Sequence, residues 1–74
     1  MGVDADLQDR LWRLRKRHDH IDAILREVAG RWRLQFARND RPLIVWDFAS
    51  ERDARDEAER KLKELERAGW NSHW

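Results

Sequence analysis

The chain lacks cysteine and tyrosine and has one methionine and one proline among its 74 residues. Without cysteine, neither a disulfide nor a thiolate zinc site can stabilise a chain too short for a large core. Association with another chain is the remaining way to stabilise such a domain. The absence of cysteine also fits a reducing compartment, so we expect a cytoplasmic location.

Features that would mark a membrane protein or an enzyme are also missing from the sequence. No apolar run reaches the roughly 18 residues of a membrane span, and the first residues do not resemble a signal peptide, so we expect no membrane partner. The three glycines form no phosphate-binding loop. Ser50 and Ser72 fit a helix cap and a tail better than a nucleophile. The sequence therefore predicts a non-enzymatic protein with no cofactor.

Charged residues are abundant but nearly balanced in sign. They make up 42% of the chain, and 16 basic residues against 15 acidic ones leave a formal net charge of +1. Net charge therefore gives no argument for a nucleic-acid partner. Five tryptophans are the most unusual feature of the composition. Tryptophan is favoured both in cores and at binding hot spots, so each one needs an explanation.

Residues 7–28 carry apolar side chains at alternating gaps of four and three. This heptad spacing predicts one long helix over about residues 6–29, with Asp4 or Asp6 as its N-cap and Gly30 as its stop. The polar member of the stripe, His18, is either a register-setting or pH-sensitive group or a residue turned toward water. The predicted stripe consists of Leu7, Leu11, Leu14, His18, Ile21, Leu25 and Val28.

Residues 31–48 change to the period of two that is typical of strands, and they predict a β-hairpin. A two-residue loop at Asn39 and Asp40 would place Asp47 on the aromatic face, so we choose a loop of three or five residues. Pro42 then opens the second strand. The chosen register pairs Phe36 with Ile44, Leu34 with Trp46, and Trp32 with Phe48.

A second helix is predicted over residues 51–67. Ser50 is its N-cap, with Asp53 as the partner in a capping box, and Gly69 follows its end. Trp70 can fold back on the last turn. The stripe predicted to be buried consists of Ala54, Ala58, Leu62 and Leu65.

The fold predicted from these elements is α+β, a single two-layer α-β-β-α domain spanning residues 1–74. The first helix would overhang the hairpin by about two turns, and a two-stranded sheet has two open edges. A second copy would cover both, so we predict a homodimer. Its seam is either the heptad stripe (Leu7, Leu11, Leu14, His18, Ile21, Leu25) or the edge of the hairpin.

Two kinds of partner are compatible with the remaining residues. The first is another protein, for which this chain would act as an adaptor, regulator or inhibitor. The alternative is a nucleic acid whose phosphates contact basic residues of the first helix and the hairpin. The protein-binding candidates are Trp12, Leu43, Val45 and Trp74. The nucleic-acid candidates are Arg13, Arg15, Lys16, Arg17, Arg31 and Arg33. A metal site at His18 and Asp22, with or without His20, is disfavoured, because one helix supplies at most two of these ligands and structural zinc needs four.

Overall fold

A computed structural model describes residues 8–72, which form a four-stranded antiparallel sheet followed by one helix. Strands that are consecutive in the sequence are neighbours in the sheet. The elements are β1 (Gln8–Lys16), β2 (Asp19–Val28), β3 (Arg31–Arg38), β4 (Arg41–Phe48) and α1 (Glu51–Arg67). No helix in this part of the chain is long and apolar enough to cross a membrane.

The predicted N-terminal helix is wrong, because residues 8–28 form the hairpin of β1 and β2. The order of elements is therefore β-β-β-β-α instead of α-β-β-α, and no coiled-coil seam exists in the described residues. Gly30 is a hairpin turn residue and not a helix stop. Asp4 and Asp6, the predicted caps, lie outside the described residues.

The residues of the predicted heptad seam are mostly part of the core of a single chain. Leu14, Ile21 and Leu25 are buried, and Leu11 packs partly against the same core. His18 lies in the exposed turn between β1 and β2, which explains why it is polar. Leu7 lies outside the described residues.

A two-residue period explains this segment better than the heptad does. On β1, Trp12 and Leu14 lie on the face that packs against α1, and they pair with Ala23 and Ile21 of β2. On a helix, Trp12 would instead have pointed about 100° away from the apolar stripe. The chain reverses at Arg17, whose φ of 58° is left-handed although it is not glycine. No glycine or proline marked this turn in the sequence.

The core lies between α1 and the two central strands. Small residues of the helix, Ala54 and Ala58, are buried against Leu25, Leu34 and Phe36. Alanine at these positions lets the helix backbone approach the sheet closely. A second cluster joins Leu14 and Ile21 to Trp70, with Leu62 and Leu65 packed beside it. The buried stripe predicted for α1 therefore faces the sheet.

The predicted strand register of the second hairpin is confirmed, but its predicted loop is wrong. Phe36 pairs with Ile44, Leu34 with Trp46, and Trp32 with Phe48. Only Asn39 and Asp40 form the turn, since Arg38 pairs with Arg41. A bulge after Pro42 absorbs the extra residue, because Ala37 pairs with Pro42 while Phe36 already pairs with Ile44. A bulge adds one residue to one strand and leaves the pairing beyond it unchanged. A loop length that is counted from the paired residues therefore includes the bulged residue by mistake.

The ends of α1 follow the sequence prediction. The Oγ atom of Ser50 accepts a hydrogen bond of 3.1 Å from the backbone N–H of Asp53. Gly69 has a φ of 101°, and the backbone N–H of Trp70 donates to the carbonyl of Leu65 at 3.0 Å. The Nζ atom of Lys16 adds a hydrogen bond of 2.8 Å to the carbonyl of Ala68. These contacts satisfy carbonyls that a helix end leaves open.

The turn between β2 and β3 supports a prediction about stability. Ala29 has a φ of 53° and Gly30 a φ of 80°, as in a type I′ turn. Alanine is strained in this conformation, whereas Asn-Gly is the preferred pair. We expect Ala29→Asn to raise the free energy of unfolding by about 0.5–1 kcal/mol in urea denaturation.

Gly30→Ala is the control for that turn prediction. A Cβ atom added at Gly30 meets nothing within 4 Å, so only backbone strain changes. We expect this variant to lose about 1 kcal/mol. A loss of stability in Ala29→Asn would contradict the strain assigned to Ala29.

Candidate functional site

The large apolar side chains that are exposed within residues 8–72 are four consecutive residues of β4, which we call the β4 strip: Leu43, Ile44, Val45 and Trp46. Their exposed fractions are 56%, 38%, 45% and 40%. Both faces of the strand contribute, since Ile44 and Trp46 face the side of α1 while Val45 faces away. Single exposed apolar residues are ordinary, but a contiguous group indicates an interaction surface.

The position of α1 explains why the β4 strip is exposed. The helix is centred over β3 and contacts both β2 and β4, but it leaves the outer part of β4, at the edge of the sheet, exposed. Strand β1 at the opposite edge is partly covered, because Asn71 and Arg15 exchange backbone hydrogen bonds of 2.8 and 3.0 Å. The β4 edge has no such cover from the described residues.

The face of the sheet opposite α1, which we call the outer face, carries a set of arginines. Side chains alternate between the two faces along a strand, so the residues on either side of a core residue lie on the outer face. Arg13 is adjacent to the buried Leu14, and Arg10 pairs with Ile24 beyond a bulge in β1. Lysine is absent from the outer face within residues 8–72. The outer-face arginines are Arg10, Arg13, Arg15, Arg26, Arg31 and Arg33.

Both aspartates among the strand residues of the outer face are engaged by arginines. Asp22 is only 4% exposed and accepts hydrogen bonds from Nε and, at 2.8 Å, from Nη2 of Arg13. Asp47 accepts bonds of 2.9 and 3.3 Å from Nε and Nη2 of Arg33. These bonds raise the pKa of both guanidiniums and lower the pKa of Asp47. The pairs fix two of the six arginines and neutralise both aspartates.

The nucleic-acid candidates from the sequence divide between surfaces. Arg13, Arg15, Arg31 and Arg33 come together on the outer face although they were assigned to separate elements. Lys16 instead bonds to the end of α1, and Arg17 lies in the exposed β1–β2 turn.

The sequence analysis missed Arg26, and it placed Arg10 only beside the basic run of the predicted first helix, outside the set of candidates. Neighbouring residues of a strand face opposite sides. A two-residue period would therefore have placed Arg26 on the outer face, because it follows the buried Leu25. It would not have found Arg10, because the bulge between Arg10 and Trp12 changes the phase of β1.

The protein-binding candidates also divide. Leu43 and Val45 are exposed on β4, whereas Trp12 is a packing residue. The indole N–H of Trp12 donates a hydrogen bond of 3.0 Å to the carbonyl of Ala58 and ties β1 to α1. Trp74 lies outside the described residues.

Three potential metal ligands lie close together near the β3–β4 turn. Ligand atoms of His20, Asp22 and Asp40 lie within 4.8 Å of one another. Asp22 is already held by both ends of the Arg13 guanidinium, and Nε2 of His20 lies 3.5 Å from Oδ1 of Asp40. These contacts give the cluster a structural role. His18, the other residue of the metal hypothesis, is in the neighbouring turn and does not belong to it.

A second polar cluster fastens the same end of the sheet. Asp19 accepts hydrogen bonds of 2.9 Å from Nδ2 of Asn39 and 2.7 Å from Nη2 of Arg38. The bond from Asn39, followed by that from Arg38, lowers the pKa of Asp19. Arg38 also stacks over the ring of Trp70 at 5.7 Å from its centroid. This cluster joins β2, β3 and the segment after α1, and its groups are satisfied by one another.

Comparison with protein-family models, curated proteins and solved structures finds no match to this chain. The features that bear on function are therefore the β4 strip and the outer face.

Proposed function

We propose that the protein is a non-enzymatic interaction module that acts as a homodimer, joined through β4. The observation that carries this proposal is the β4 strip, with four exposed apolar residues on the open edge strand. An edge strand offers unpaired backbone N–H and C=O groups, and pairing with another strand satisfies them. A cytoplasmic location, expected from the absence of cysteine, remains part of the proposal.

A second copy fits the strip because the strip can pair with itself. The regular part of β4 begins after the bulge and runs from Ile44 to Phe48. Antiparallel pairing about a two-fold axis at Trp46 places Ile44 beside the partner's Phe48 and Trp46 beside the partner's Trp46. Each copy then contributes apolar side chains on the helix side, and the two sheets become one eight-stranded sheet.

The short pairing segment also predicts how strong the dimer is. Stable interfaces bury about 1,200 Å² or more of total surface. Two five-residue segments with their side chains fall short of that area. Pro42 and the bulge stop the pairing from extending toward the β3–β4 turn. We therefore expect a dimer that dissociates on dilution.

Light scattering across about a hundredfold range of protein concentration tests the proposal. The intact chain should change from monomer to dimer, and Val45→Glu should remain monomeric. Val45 lies on the outer face at the edge, where the new carboxylate would lie opposite the partner's Asp47 and repel it.

Val28→Glu is the matched control for this experiment. Val28 lies on the same face, but at the end of an inner strand and not on the β4 edge. The Val28→Glu protein should therefore dimerise over the same concentration range as the intact chain. Circular dichroism checks that both variants are folded. A folded intact chain that stays monomeric, or a Val45→Glu protein that still dimerises, would contradict the proposal.

A further inference from the structure

From the charge of the outer face we infer that this surface binds double-helical nucleic acid through its phosphates, without reading the base sequence. Six arginines lie on this face: Arg10, Arg13, Arg15, Arg26, Arg31 and Arg33. The face belongs to a single copy of the chain, so the inference does not depend on the proposed dimer.

The charge of this small protein is separated between its two layers. The strand residues of the outer face carry six arginines against Asp22 and Asp47, both of which are bound by arginines. The sequence of α1 on the opposite side holds seven acidic and six basic residues. A formal net charge of +1 therefore conceals a positive face and a slightly negative helix. A polyanion would be attracted to the sheet side.

The side-chain chemistry of the face matches phosphate. Arg10, Arg26 and Arg31 make no ion pair with other described residues. A guanidinium presents a planar fork of donors that can hold two phosphate oxygens with two parallel hydrogen bonds, whereas an ammonium group acts as a point charge. All the basic residues of the face are arginines, although lysines occur elsewhere in the chain.

The shape of the face favours a duplex over a single strand. Four strands about 4.8 Å apart make a surface roughly 15 Å wide, along which a duplex presents a phosphate charge every 1.7 Å or so. Single-strand binders usually stack bases on aromatic rings. Among residues 8–72, no Trp or Phe lies on the outer face, because these rings pack toward α1 or line the helix side of the sheet.

The same features argue against an acidic protein as the partner. Protein interfaces usually bind through a buried apolar or aromatic centre surrounded by polar groups. The middle of the outer face instead pairs Arg10, Ile24, Gln35 and Val45 across the four strands. Val45 of this row lies at the β4 edge, so the centre of the face has Ile24 as its one apolar residue in the row and no aromatic ring to anchor a protein.

Fluorescence anisotropy with labelled duplexes of about 20 base pairs, in DNA and RNA forms, tests the inference between about 50 and 200 mM salt. We expect either or both forms to bind, with a plot of log affinity against log salt having a slope of about −3 or steeper. Arg10→Gln combined with Arg31→Gln should reduce the magnitude of that slope by about two and weaken binding at low salt. Both residues are exposed, so the variant should fold normally.

Arg52→Gln combined with Arg67→Gln is the matched control, since it removes the same charge from α1. It should leave the salt slope nearly unchanged. Failure of the intact chain to bind either duplex at low salt would overturn the inference, as would equal losses in the two double variants. Binding of poly-L-glutamate as tightly as the duplexes would also overturn it, and would assign the face to acidic proteins.

Discussion

Replacing Phe36 by alanine is expected to remove about 3–5 kcal/mol from the free energy of unfolding. Phe36 is 3% exposed, and its ring lies 5.9 Å from that of Trp12 and 6.3 Å from that of Trp46, measured between centroids. The truncation leaves a cavity and also removes two aromatic contacts worth about 0.5–1.5 kcal/mol each.

That loss is large because the domain is small. At about 0.05–0.15 kcal/mol per residue, a chain of this length has a total stability of roughly 4–11 kcal/mol. Phe36→Ala should therefore lose between about a quarter and all of that stability. Urea denaturation followed by tryptophan fluorescence measures this effect, because the Trp12 and Trp46 rings both contact the deleted side chain.

Leu43→Ala is the control variant for this prediction. It removes apolar side-chain atoms from β4, the strand that pairs with the strand of Phe36. Leu43 is more than half exposed and forms the bulge, so its truncation at low protein concentration should cost about 0.5 kcal/mol. Similar costs for the two variants would mean that Phe36 is not at the centre of the core.

The second half of the chain could be predicted from the sequence because two independent signals agree there. The alternation of Trp32, Leu34 and Phe36 indicates a strand, and Asn39 and Asp40 indicate a turn. Ser50 then caps the start of α1, as its contact with Asp53 confirms. Only the loop length was wrong, because a bulge has no reliable signal in a single sequence.

The first half could not be predicted because its apolar positions fit two periods. Leu14, Ile21 and Leu25 satisfy heptad spacing, yet they also alternate on strands on either side of a turn. The turn at Arg17 and His18 has neither glycine nor proline, so nothing interrupted the helical pattern. The choice between periods was decided by tertiary packing, since only the sheet gives Ala54 and Ala58 of α1 a broad surface to contact.

The candidate surfaces differ in how far they could be predicted. Exposure of Leu43 and Val45 followed from an apolar second strand with one face assigned to the core. The set of arginines on the outer face could not be assembled, because a helix distributes Arg10, Arg13 and Arg15 around its axis while a strand hairpin brings them to one face. The correct secondary structure was therefore needed to see the positive surface.

Arg13→Met is expected to cost about 3 kcal/mol, more than removal of its partner Asp22. The side chain of Arg13 is 27% exposed and that of Asp22 is 5% exposed. Removing the arginine leaves a buried carboxylate without its counter-charge, and stranding a buried ion is strongly destabilising. In Asp22→Leu the remaining guanidinium can still reach water, so we expect a loss of roughly 1 kcal/mol.

The double variant Arg13→Met with Asp22→Leu separates this explanation from a simple loss of contacts. Replacing both members of a buried ion pair by apolar groups is often nearly neutral, so the double variant should be more stable than Arg13→Met alone. Denaturation of all four proteins at neutral pH gives the coupling energy through a double-mutant cycle. If the costs of the two single variants simply add, the pair is not coupled, and the burial of Asp22 must be stabilised by other neighbours. A rescued double variant would mean that Arg13 is needed chiefly because Asp22 is buried.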